Sequence, residues 1–115
     1  FWAEIGPINN PAERGGYPKG PILKEGRLVA LMRKYPNLYG DISAGSGFNA
    51  ISRDPEFGYR FMEEFQDQLC FGSDYCHVIQ DIPQVPYFKK LKDEKLIPDS
   101  VYEKIAWKNA ARLLL

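Results

Sequence analysis

From Leu23 onward the apolar positions fall into a helical rhythm. Leu28, Leu31, Met32 and Tyr35 return every three or four residues, with Lys24, Arg27, Arg33 and Lys34 mostly on the other side. That spacing predicts an amphipathic helix with a solvated basic face, and Pro36 stops it. Residues 38–43 (LYGDIS) form a short run of strand character, weakened by Gly40. Asp54 and Pro55 then read as N-cap and first helical residue. The helix they open lines Phe57, Phe61, Met62 and Phe65 along one face and leaves Glu63, Glu64 and Asp67 wet. A second strand, residues 69–73 (LCFGS), comes at once. Strand, loop, helix and strand in this order predict a βαβ unit with a right-handed crossover. After an irregular stretch with Pro83 and Pro86, a short helix carries Tyr87, Phe88 and Leu91. Residues 100–103 (SVYE) have capping-box spacing and open a final helix through Ile105, Ala110 and Leu113.

Between these elements the chain is punctuated. Residues 6–22 hold four prolines and four glycines, which predicts a long loop. Residues 44–54 (AGSGFNAISRD) predict a second one, read as a flexible loop beside the site. Residues 44–47 lack the lysine of a P-loop and the spacing of a dinucleotide fingerprint. Residues 1–5 read as the tail of a buried strand. Two strands, or three with that tail, are an incomplete object. Parallel strands want both faces covered, and open edges invite pairing.

Composition narrows the function classes. The chain has 115 residues, 15 basic and 15 acidic, enough for one modest core. The interspersed charges give no footprint for nucleic acid or an anionic membrane, and no apolar run approaches the ~20 residues of a bilayer span. The opening residues carry neither a basic start nor an apolar stretch, so no signal peptide is expected. The first residue is Phe, not Met, which reads as a truncated front. Cys70 and Cys76 are too few for a disulfide framework. Reduced thiols suggest a cytoplasmic setting.

Candidate chemistry gathers at Leu69-Cys70-Phe71-Gly72-Ser73-Asp74. An acid just past the carboxyl end of a parallel strand faces the place where α/β proteins bind ligands. On the residues alone, Asp74 is equally an Asp that caps a turn. Trp2, Ser43, Ser46, Asn49 and Tyr75 stand in or beside loops at the same expected face, where they could shape a pocket. For each of them, packing or turn formation is the plainer role. Asp41 lies within the first strand, with its face undetermined. His77, the one histidine, reads as a loop residue at the mouth of the site, able to touch substrate but not counted as a metal ligand.

Three segments in order, Asn37-Leu38-Tyr39-Gly40-Asp41-Ile42-Ser43, Phe71-Gly72-Ser73-Asp74 and Asn109-Ala110-Ala111-Arg112-Leu113-Leu114, resemble the last part of amidohydrolase-related proteins. The resemblance implies an α/β fold, the C-terminal part of a (β/α)8 TIM barrel, with strands six to eight and their helices. It implies a metal-dependent hydrolase acting on a small-molecule substrate, or a non-oxidative decarboxylase of the same family. In either, Asp74 would bind a divalent metal, usually zinc, and shuttle the proton of its water. A metal lowers the pKa of bound water to roughly 7, and a neighbouring carboxylate can take and return that proton. Trp2, Ser46 and His77 would then be substrate-binding residues. One Asp and one His fall short of the three protein ligands zinc wants. The chain by itself is therefore expected to be inactive, and to self-associate as a homo-oligomer or aggregate through its strand edges.

Overall fold

The two apolar runs pair as parallel strands in the computed structural model, which describes residues 1–115. Strand β1 (Gly40–Asp41) lies beside β2 (Leu69–Cys70), with Gly40 opposite Leu69 and Asp41 opposite Cys70. Alternation decides what each residue faces. Ile42 and Leu69 are fully buried on the helical side, while Asp41 is exposed and Cys70 half-buried on the other. The pairing stays short, two residues per strand, where runs of five and six were expected.

Helix α1 (Arg27–Lys34) precedes β1. It ends where Pro36 forces Tyr35 out of the helical region, to φ −120° and ψ 91°. Between the strands lie α2 (Ala44–Ser52) and α3 (Pro55–Glu64). The cap at Asp54 is realised and does more than cap. One carboxylate oxygen accepts the Phe57 amide at 3.3 Å, and the other accepts the Ile22 amide at 2.8 Å. Helix α4 (Gln84–Asp93) comes after β2, and the chain closes with α5 (Asp99–Glu103), a π-helical turn (Lys104–Lys108) and α6 (Asn109–Leu114). The core is the apolar stripe of these helices against Ile42 and Leu69, with Met32, Met62, Phe61 and Ile105 at its centre. No helix is long and apolar enough to cross a membrane.

Four expectations are corrected. Residues 1–5 are not a strand tail: Trp2–Ile5 is a 3-10 turn, closed by the Glu4 amide on the Phe1 carbonyl at 3.1 Å. The stretch 44–54 is not a flexible loop, because most of it is α2. Its glycines serve close approach. A Cβ on Gly47 would lie 2.5 Å from the Ile42 carbonyl carbon, and one on Gly45 would lie 2.7 Å from the Tyr17 hydroxyl. Glycine there lets a helix start hard against the strand it leaves. The capping box at Ser100 is unused; the helix begins at Asp99, after Pro98, with no side-chain cap.

The strand edges, expected open, are partly clasped. The Gly40 and Ile42 amides bond toward β2, at 2.8 and 3.0 Å, so the Asp41 carbonyl points the other way. The Trp2 indole N–H donates to it at 3.0 Å. On the far edge of β2, the Phe71 amide donates to the Ile105 carbonyl at 2.8 Å, from within the π-helical turn. The buried Asn109 amide donates to the Leu69 carbonyl at 2.7 Å and the Gln66 carbonyl at 2.6 Å. Where β2 begins, the Gln68 amide reaches the carbonyls of Met32, Tyr35 and Leu38, tying α1 to β1.

Asn109→Ala removes both donors from buried or half-buried carbonyls and is expected to destabilise the fold by about 2 kcal/mol or more. Urea denaturation should show a lower midpoint at unchanged slope. A loss under about 0.5 kcal/mol, the ordinary range for an inert surface change, would mean that this clasp does not hold β2.

Candidate functional site

Beyond Cys70 the chain leaves the sheet, passes Gly72 and turns sharply at Asp74. Asp74 has φ 55°, a left-handed conformation that Asp tolerates better than most residues. Its neighbours hold the turn. The Tyr75 amide donates to the Ser73 hydroxyl at 3.2 Å, and the Gln80 side-chain amide donates to the Asp74 carbonyl at 2.9 Å. The Gln80 side-chain oxygen accepts the Cys76 amide at 3.0 Å. The loop is thus folded around one glutamine. The Asp74 carboxylate is exposed and enters no side-chain hydrogen bond or ion pair. It neither starts a helix nor sits in a salt link. A strained residue whose functional end is left free is the pattern found where strain serves a site.

Asp41 stands on the same uncovered side. Its carboxylate accepts the Ser43 amide at 3.0 Å and lies over Gly72, where a Cβ would meet Oδ1 at 2.7 Å. A side chain at Gly72 would have to displace the Asp41 carboxylate and press on the Ser43 Cβ at 3.0 Å. Cys70, opposite Asp41 in the sheet, feels it. Burial first, and the Asp41 charge second, push the Cys70 thiol above the usual thiol range, against a smaller pull from Arg112. Sequence reasoning singled out Asp41 and could not assign its face. The signal was its phase with Cys70, and reading it required knowing that Ile42 and Leu69 are the buried partners.

The remaining candidates do not converge on Asp74. Trp2 is buried, edge-on to Phe61, with its N–H on the Asp41 carbonyl. One side of it faces a cleft of about 240 Å³ shared with Ser46, Asn49, Arg14 and Tyr17. Of the five residues grouped from sequence, Trp2, Ser46 and Asn49 line this cleft and Ser43 and Tyr75 do not. Neither Asp74 nor His77 lines it. His77 is exposed in the loop, its Nδ1 accepting the Ile79 amide at 3.4 Å and its carbonyl accepting the Gln80 amide at 2.9 Å. Tyr75 is exposed beside Asp74.

The donor set can be weighed against a divalent metal. Asp41 ends β1 and Asp74 follows the end of β2, but no three His, Cys, Asp or Glu side chains come together. Zinc wants at least three protein donors. The residues of this chain do not make that site, and any complete centre needs donors from elsewhere.

A family model described as amidohydrolase matches residues 15–115. No curated protein and no solved structure matches the chain. Of the residues discussed as candidates, only Trp2 lies outside the matched range, on the turn that clasps β1.

The pairing of Asp41 with Cys70 can be read by thiol labelling. Exposed Cys76 should react first with a disulfide reagent and half-buried Cys70 more slowly. Asp41→Asn removes the charge that holds the Cys70 thiol up, so the slow phase should quicken at pH 8–9 while the fast phase stays put. An unchanged slow phase would show that Asp41 does not face Cys70.

Proposed function

The chain belongs to the amidohydrolase family, and from that premise we propose that it is the C-terminal segment of a metal-dependent hydrolase barrel in which Asp74 moves the proton. The observation that carries this reading is the Asp74 carboxylate itself: exposed, unpartnered, and set just beyond the carboxyl end of β2 by a strained, braced turn. In a parallel α/β barrel that end of the strands is where chemistry is done. A carboxylate there can take a proton from an attacking water and return it to the leaving group.

The parallel register of β1 with β2 supports the barrel reading, since it places Asp41 and Asp74 toward the same ends of adjacent strands. So does the uncovered side that carries Asp41 and Cys70, which in a closed barrel would face the interior. Within this reading Asp74 is the one donor the chain supplies to a divalent metal, with Asp41 flanking it and the other donors contributed by residues outside these 115. Zinc is the metal proposed. Trp2 and Ser46 would meet substrate from the cleft they share, and His77 from the loop that carries Asp74. The substrate is a small molecule with a hydrolysable C–N, C–O or C–C bond.

The test is Asp74→Asn in the complete enzyme that carries this segment. The amide keeps the shape and cannot carry the proton, so kcat should fall by about 10²–10⁴ with little change in KM. The products name the bond broken: an amine or alcohol supports hydrolysis, whereas bicarbonate would move the assignment to decarboxylation. Unchanged kcat in the variant would remove Asp74 from the chemistry.

A further inference from the structure

A second concavity lies on the other side of the loop 6–22 from the Trp2 cleft, and its charge is one-sided. It has a volume of about 440 Å³ and is lined by Arg53, Lys19, Lys24, Asn9 and Glu13, among others. That volume is within the range of small-molecule sites. Its walls are tied in place. The Ile22 amide is fastened to Asp54, and the Pro18 carbonyl accepts the Asn49 side-chain amide at 3.1 Å.

Arg53 dominates the chemistry of this cavity. It sits half-buried at the end of α2, its Nε is buried with no hydrogen-bond partner, and no ion pair includes it. Burial works against its charge, and the charges of Glu13 and Asp54 offset this in part without reaching ion-pair distance. Both Asp54 oxygens are turned to backbone amides, and neither comes within ion-pair distance of Arg53. Glu13 rides on the exposed turn Pro11–Gly15. Three cations thus face one cavity against a single exposed carboxylate. A half-buried guanidinium whose N–H groups find no partner in the chain is a fork that fits two oxygens of one phosphate or carboxylate group. Arginine does not shed its proton to escape the cost.

We propose that this cavity binds a small oxyanion, a metabolite bearing a phosphate or several carboxylates, with Arg53 as the two-pronged anchor and Lys19 and Lys24 as flanking charges. The site is separate from Asp74, shares no wall residue with the Asp74 loop, and stands or falls without the hydrolase reading. Occupancy would also fix the loop 6–22, whose opposite side lines the cleft holding Trp2 and Ser46.

The experiment is a titration of the ¹⁵N-labelled chain with inorganic phosphate and, separately, citrate, at constant ionic strength, following the Arg53 Nε–H signal. A saturable shift with a midpoint of about 1 mM or tighter is expected from at least one of the two. Response to phosphate alone names the phosphorylated class, and response to citrate alone names the polycarboxylate. Arg53→Gln should abolish the binding, read from backbone amides around the cavity. The double variant Lys19→Gln, Lys24→Gln keeps Arg53 and should weaken binding about tenfold, which decides the matter even if Arg53→Gln fails to fold. Glu13→Gln should tighten it. A linear, non-saturating response, or equal binding by the double variant, would overturn the proposal. It would equally fail if Glu13→Gln unfolds the loop without gain in affinity, for Glu13 would then be the partner of Arg53.

Discussion

Two pairs of backbone residues, Gly40 with Leu69 and Asp41 with Cys70, hold the rest of this chain in order. A two-residue parallel ladder is weak by itself, because parallel pairing needs cover and length to persist. Here it is held from outside. The Trp2 indole takes the outward carbonyl of β1, and Asn109 with the π-helical turn takes the outward groups of β2. A helix that widens to a π turn turns a carbonyl outward, and the Phe71 amide uses the one from Ile105. The strand ends are therefore fixed by side chains and a helix, and the loops beyond them inherit that placement.

From that constraint the chemistry is reached in short steps. Register puts Asp41 beside Cys70 on the side away from the core. The Asp41 carboxylate then lies over Gly72. Gly72 releases the chain into the braced turn at Asp74, where the carboxylate is left free. Some other carboxylates are spent on structure. Asp54 holds a helix and a loop together, and Glu25 and Glu64 both grip Arg33, whose hydrogen bonds draw Glu25 below the usual carboxylate range. Asp41 differs from these in facing the uncovered side of the sheet, and Asp74 in standing exposed in the turn beyond β2.

Much of this order was legible in the residues, for reasons that can be named. The rhythm of Leu28, Leu31 and Met32, the Asp54-Pro55 start and the apolar run at residue 69 each depend on local physics, and each produced its element. Residues 44–52 misled because glycine is ambiguous. It marks loops, and it also marks places where backbone meets backbone, as Gly47 does against Ile42. The strand expected at residues 1–5 failed because Trp2 is held by a partner 39 residues away, which no local pattern reveals. Asp74 was found from its place after a strand. Asp41 needed the phase of the sheet, and Arg53 needed the knowledge that Asp54 was already occupied.

If the strand pairing presents Asp74 as the carboxylate through which this chain meets a divalent cation, with Asp41 flanking it, a cation should find it. Paramagnetic broadening of backbone amides by dilute Mn²⁺ is the decisive measurement, since Mn²⁺ takes oxygen donors and marks its position by distance. Broadening is expected to centre on residues 72–75 and 41–43, and to be lost in Asp74→Ala. Broadening centred on Glu25, Glu64 or the C-terminal helix, or a pattern indifferent to Asp74→Ala, would contradict that assignment.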